Sequence, residues 1–144
     1  MRSPLHNFID SLLKLADVDV PQNLQSVTRR FSGLSVDFLS QTGTEPFHLS
    51  VTDTTIVTSS GLTTHPSVVT VKLTPQVLLG IMRGVETPGE AFLMGRFRAY
   101  GTTDQLYQLH DFFIALAGLT LVSPNLRRLV AEFEQSQPQS PTTP

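Results

Sequence analysis

Hydrophobic and polar positions follow two different rhythms along this chain, and the changes between them divide it into elements. In residues 3–16, Leu5, Phe8, Ile9, Leu12, Leu13 and Ala16 recur at helical spacing and leave Asn7, Asp10, Ser11 and Lys14 on the other side. That is the pattern of an amphipathic helix, expected to end near Asp17. A second helix is expected from Pro21, where Leu24, Val27 and Phe31 share a face and Gly33 supplies the stop. From Leu34 the period falls to two. Leu34, Val36 and Phe38 alternate with Ser35 and Asp37, and Phe47, Leu49 and Val51 alternate with His48, Ser50 and Thr52. These read as two half-buried antiparallel strands joined by a hairpin connection over 41–46. The β-branched runs 54–58 and 68–73 add further strands, with Ser59-Ser60-Gly61 and His65-Pro66 as the break between them. Successive strands of this kind predict a meander.

The helical period then returns. Val77, Leu78, Ile81 and Met82 form a helix that opens at Thr74-Pro75 and closes at Gly84, and Thr87-Pro88-Gly89-Glu90 has the form of a capping box for one short turn carrying Ala91 and Phe92. Residues 95–101 read as a last strand in which Phe97 and Ala99 oppose Arg96, Arg98 and Tyr100. Thr102 or Thr103 caps a helix with Leu106, Leu109, Phe113, Leu116 and Ala117, and Ser123-Pro124 opens a final one with Leu126, Leu129, Val130 and Phe133. The pairs Ser3-Pro4, Thr74-Pro75, Thr87-Pro88 and Ser123-Pro124 mark helix starts for one physical reason. The hydroxyl accepts from an orphan backbone amide, and the proline ring presets φ where no donor is needed. From Gln135 onward no apolar residue remains to bury. Residues 1–134 are therefore expected to form one domain and 135–144 a tail without order.

Composition narrows the function classes. A chain of 144 residues with 40% hydrophobic side chains can bury a core of its own without staples. The net charge of −2 comes with arginines scattered at Arg29, Arg30, Arg83, Arg96, Arg98, Arg127 and Arg128. No dense basic stripe results, so nucleic acid is not expected as a partner. The absence of cysteine removes disulfides, a thiolate nucleophile and cysteine-type zinc sites. His6, His48 and His65 lack metal spacing, so neither a metal nor a cofactor is expected. The first sixteen residues interrupt their apolar pattern with Arg2, His6, Asp10 and Lys14, unlike a secretory or spanning segment, which points to the cytoplasm. His110 and Asp111 stand side by side on a helix, where neighbours are expected to point apart, and no nucleophile elbow accompanies them. An enzyme is not expected.

The stretch 69–84, Val-Thr-Val-Lys-Leu-Thr-Pro-Gln-Val-Leu-Leu-Gly-Ile-Met-Arg-Gly, followed by 88–101, Pro-Gly-Glu-Ala-Phe-Leu-Met-Gly-Arg-Phe-Arg-Ala-Tyr-Gly, resembles the signature of the sterol carrier protein type 2 family. Pro88, Ala91, Phe92, Gly95, Arg96, Phe97, Arg98, Ala99 and Gly101 match its order, and Leu106 and Leu109 stand where its closing helix keeps leucines. Residues 34–38 and 47–51 look like its first strand pair, so the likeness spans about 27–113. Thr102, the arginines in place of lysine, and the small Ala99 depart from the pattern. What the resemblance implies is an α+β fold, a five-stranded, largely antiparallel sheet covered by helices, with an apolar cavity for a sterol, fatty acid, acyl-CoA or isoprenoid and no catalytic residue. The function implied is binding and intracellular transfer or presentation of such a lipid. The alternatives are a non-catalytic accessory or scaffold protein of lipid or quinone biosynthesis, and a domain whose filled core serves dimerisation. Transient contact with a membrane or an enzyme, as a monomer or weak dimer, goes with it. Leu78, Met82, Phe92, Met94, Phe97, Leu106, Leu109 and Phe113 are the candidate lining, although each serves equally well in a solid core. Met82 and Met94 have the added merit of an adaptable thioether. Arg96 and Arg98 are candidates for gripping a phosphate, or else are solvated strand charges.

Overall fold

Local signals set the helix starts. In the computed structural model, which describes residues 3–40, 45–62 and 68–137, each expected hydroxyl-proline pair is a helix N-terminus. Ser3 accepts from the amide of His6, Thr74 from Val77, Thr87 from Glu90 and Ser123 from Leu126. These open α1 (Pro4–Asp19), α3 (Pro75–Met82), α4 (Pro88–Leu93) and α6 (Pro124–Ser136). Thr102 and Gln105 cap each other reciprocally at the start of α5 (Thr103–Val122), as Thr87 and Glu90 do for α4. Helix α2 (Pro21–Arg30) begins on its proline with no side-chain cap. Helix α6 continues through Gln135 and Ser136, two residues past the expected end of the domain, and residues 138–144 of the expected tail lie outside the described ones.

The strands are β1 (Ser35–Ser40), β2 (Phe47–Val51), β3 (Ile56–Ser60), β4 (Val69–Leu73) and β5 (Arg98–Tyr100), in the sheet order β3-β2-β1-β4-β5. The expected meander holds for β1 to β3 and then breaks. Strand β4 does not pair with β3 but returns to lie parallel to β1, while every other pairing is antiparallel. Burial explains the choice. Val69, Val71 and Leu73 are all taken out of water, which demands a central place, whereas β3 buries only Ile56 and suits an edge. Ser59 and Ser60 belong to β3 rather than to the break after it, which falls at Gly61 with φ 89°. Of the expected connections, 41–44 and His65-Pro66 lie outside the described residues. Strand β5 has three residues instead of the expected seven-residue run, because the amide of Arg96 is already bonded to the carbonyl of Ala91 at the end of α4 (2.9 Å). That amide is not free for the ladder.

The inner face of the sheet presents Val36, Phe38, Phe47, Leu49, Val51, Val69, Val71 and Leu73, none more than 3% exposed. Helices α1 and α5 supply Phe8, Ile9 and Leu12, and Leu109, Phe112, Phe113 and Leu116, to the same core. Rings connect across it: Phe113 contacts Phe38, Phe38 stacks on Phe47 at 4.6 Å, and Phe47 stacks on His6 at 4.5 Å. His6 Nε2 meets Thr58 Oγ1 on β3 at 3.0 Å, which satisfies a buried imidazole. No single helix among the described residues is long and apolar enough to cross a membrane, and α5 and α6, which reach that length together, are bent by 111° to one another.

The final helix is fastened at both ends. Phe133 stacks on Phe8 at 4.2 Å, and Arg83 pairs with both carboxylate oxygens of Glu134 at 2.7 and 2.6 Å. At its start, the fully buried Ser123 accepts from Leu126 and donates to Asp19, which also receives Asn125 at 3.1 Å. Ser123→Ala removes a cap and leaves a carboxylate short of a donor, so it is expected to destabilise the fold by about 2 kcal/mol, read from urea denaturation.

Candidate functional site

Helix α4 has six residues and hence little to bury. It inserts Ala91, which is fully buried, and Pro88 against the body, and leaves Phe92, Leu93 and Met94 44%, 84% and 75% exposed. Glycines with φ 73° on either side, Gly84 and Gly95, let the chain turn into and out of it, a conformation costly for other residues. Facing α4 is the first half of α5. Between them, floored by Phe97 and Ala99, runs a groove of about 660 Å³ whose walls are mostly apolar. A drug-sized ligand occupies pockets of roughly 300–1,000 Å³. Phe97 carries the wall into the core: its ring lies 5.8 Å from Phe92 and 6.5 Å from Phe113.

Phe92, Phe97, Leu106, Leu109 and Phe113 come together on this groove. Leu78, Met82 and Met94 do not. Helix α3 is apolar on nearly every side, with Val77, Leu78, Leu79, Ile81 and Met82 all buried, and Leu78 and Met82 are packed into the body. Met82 also borders a more polar hollow of about 400 Å³ shared with Arg83, Thr120, Arg127 and Glu134. Met94 caps α4 and points to solvent. Sequence reasoning missed Pro88, Gly89, Thr103, Tyr107, His110 and Asp111 in the lining. A signal was there: Thr103, Leu106, Tyr107, His110 and Phe113 are spaced by three and four, one face of a helix.

The expectation that His110 and Asp111 point apart is corrected by the structure. His110 Nδ1 lies 3.2 Å from Asp111 Oδ1, while Asp111 Oδ2 faces the guanidinium of Arg30 at 3.7 Å. Arg96 and Arg98 do not form a fork: Arg96 precedes β5 and pairs with Glu86 at 3.4 Å, and Arg98 stands in register with Lys72.

A second constellation lies on the outer face of the sheet. Asp37 and His48 are opposite each other on β1 and β2, and Ser35 is two residues from Asp37 on the same face. Ser35 Oγ donates to His48 Nε2 at 3.0 Å, and His48 Nδ1 donates to Asp37 at 2.7 Å, with the His48 and Asp37 side chains 15% and 9% exposed. The order of atoms is that of a hydrolytic triad. Its setting is not: β1 has a neighbour on each side, so its amides serve the ladders, and the pleated face offers no concavity that aims donors at a developing oxyanion.

No protein-family model matches the sequence, and no curated protein matches it. Solved structures do. The chain is similar to UbiJ-SCP2, a ubiquinone synthesis protein, with 18% identity over 83% of this chain and 93% of that one and a TM-score of 0.62. It is also similar to sterol carrier protein domain 2 of Helicoverpa armigera, with 17% identity, 78% and 87% coverage and a TM-score of 0.55. Apo sterol carrier protein 2 from Yarrowia lipolytica follows with 14% identity, 78% and 89% coverage and a TM-score of 0.52. The fold is that of the sterol carrier protein 2 domain, α+β with a largely antiparallel five-stranded sheet covered by helices.

The Ser35–His48–Asp37 line ties β1 to β2 and is expected to act in stability alone. His48→Ala deprives the buried Asp37 of this partner and should cost about 1–2 kcal/mol in denaturant unfolding, while Ser35 stays unlabelled by a fluorophosphonate probe.

Proposed function

We propose that the groove between α4, β5 and α5 holds one hydrophobic lipid, and that the protein carries or presents it inside the cytoplasm without transforming it. The observation that carries this reading is an open, mostly apolar groove of about 660 Å³ on a sterol carrier protein fold. Each methylene moved from water onto Phe92, Phe97, Leu106, Leu109 and Phe113 contributes roughly 0.8 kcal/mol. A sterol, a fatty acid, the acyl chain of an acyl-CoA or an isoprenoid each offers enough such surface. The groove is open at the side, with Leu93 and Tyr107 exposed on its rim, so a ligand has a route in that does not require the core to part.

A second reading is favoured by one observation, the likeness to UbiJ-SCP2 over 83% of this chain and 93% of that one. Here the protein is a non-catalytic accessory that presents a hydrophobic intermediate of lipid or quinone biosynthesis to enzymes, as a monomer or weak dimer. Transfer of lipid between vesicles supports carriage, whereas recovery of biosynthetic enzymes in a pull-down with no such transfer supports presentation.

Native mass spectrometry of gently purified protein is expected to show a lipid-sized adduct. Leu106→Trp places a large ring in the groove from a half-buried position, and it should lower affinity for a fluorescent fatty acid more than tenfold while the unfolding midpoint stays close to that of the parent. Bare protein that also fails to take up the fluorescent fatty acid would overturn the proposal.

A further inference from the structure

The groove is apolar along most of its length, and its polar groups gather on α5: the hydroxyls of Thr103 and Tyr107, the His110 ring and the Asp111 carboxylate. The two hydroxyls both donate and accept, so they do not discriminate between head groups. His110 and Asp111 do. Asp111 accepts through Oδ1 from His110 Nδ1 at 3.2 Å, and its Oδ2 is turned to Arg30 at 3.7 Å. An ionised carboxylate only accepts, so the tautomer that completes this contact carries its proton on Nδ1 and leaves a lone pair on Nε2. That nitrogen is turned to Gly89 across the groove: a Cβ built on Gly89 would stand 3.5 Å from Nε2 and 3.6 Å from Cδ2. Glycine thus leaves uncovered an acceptor that any other residue would face with carbon.

We propose that His110, held in one tautomer by Asp111, is the polar anchor of the groove, and that it selects lipids ending in a hydroxyl over lipids ending in a carboxylate. A hydroxyl donates to Nε2. A carboxylate meets a lone pair at Nε2 and the like charge of Asp111 beside it, while Arg30 is engaged on the far oxygen of Asp111 and stacks over Phe31, 4.9 Å from the ring centroid. This inference rests on the groove being a lipid site and deepens that reading by naming the head group.

The test uses a pair matched in chain length, 1-dodecanol and dodecanoate, displacing a neutral fluorescent lipid from the full chain. The alcohol is expected to bind about tenfold more tightly than the acid, the worth of one hydrogen bond. His110→Leu should abolish the preference by removing both the acceptor for the alcohol and the lone pair that opposes the acid. Gly89→Ala should do the same by covering Nε2, and it keeps the fold, because a methyl at 3.5 Å is in ordinary contact and alanine favours a helix over glycine. Equal or tighter binding of dodecanoate by the parent overturns the selection. A preference that survives in both variants overturns the assignment to His110. If the parent binds neither ligand nor the fluorescent lipid, the groove reading itself falls, and this inference with it.

Discussion

One constraint organises this molecule: the inner face of the sheet is a continuous apolar surface built by β1, β2 and β4, and it must be removed from water. Val36, Phe38, Phe47, Leu49, Val51, Val69, Val71 and Leu73 are buried almost completely, and helices α1 and α5 do the covering. The edge strands ask for less, since β3 buries Ile56 and β5 offers little beyond the partly buried Ala99. Cover is therefore deepest at the centre and thins toward β5. There the nearby helix α4 is six residues long and buries Ala91 and Pro88. The groove is what is left where the need for cover runs out.

The parts of this fold that were legible in the sequence are those decided within a few residues. A hydroxyl followed by proline acts on the next turn, and alternation in 34–38 and 47–51 fixes a strand's two faces without reference to the rest of the chain. The place of β4 beside β1 depended on comparing the burial demands of strands far apart, and local pattern carries no such comparison. The shortness of β5 turned on a single amide, that of Arg96, being claimed by the preceding helix. The candidate site divided for a similar reason. Leu78 and Met82 are apolar like Leu106 and Leu109, and what separates core from groove wall is which face of its helix each side chain occupies. The contact between His110 and Asp111 depended on rotamers, and the line from Ser35 through His48 to Asp37 on strand register, neither of which is written in spacing alone.

Likeness to sterol carrier protein structures at 14–18% identity speaks to the shared architecture and says little about cargo. The two levels separate physically here. The core is specified by residues that touch one another, such as Phe113 against Phe38 and Phe38 against Phe47. The groove is specified by the space beside such contacts, so its shape follows from what α4 and α5 leave unfilled. The stretch 88–101 bears on both, since Ala91 and Phe97 pack inward while Phe92 borders the opening.

Helix α4 also has an evolutionary consequence. It is held by its own capping box, by the turns at Gly84 and Gly95 and by one buried methyl at Ala91, so most of its surface is free of obligations to the interior. Mutations at Leu93 or Tyr107 alter the mouth of the groove while the aromatic line from Phe113 to His6 keeps its partners. The shape of the groove's mouth is thus decoupled from foldability. Lineages that inherit this core can diverge in the shape of the groove without passing through variants that fail to fold.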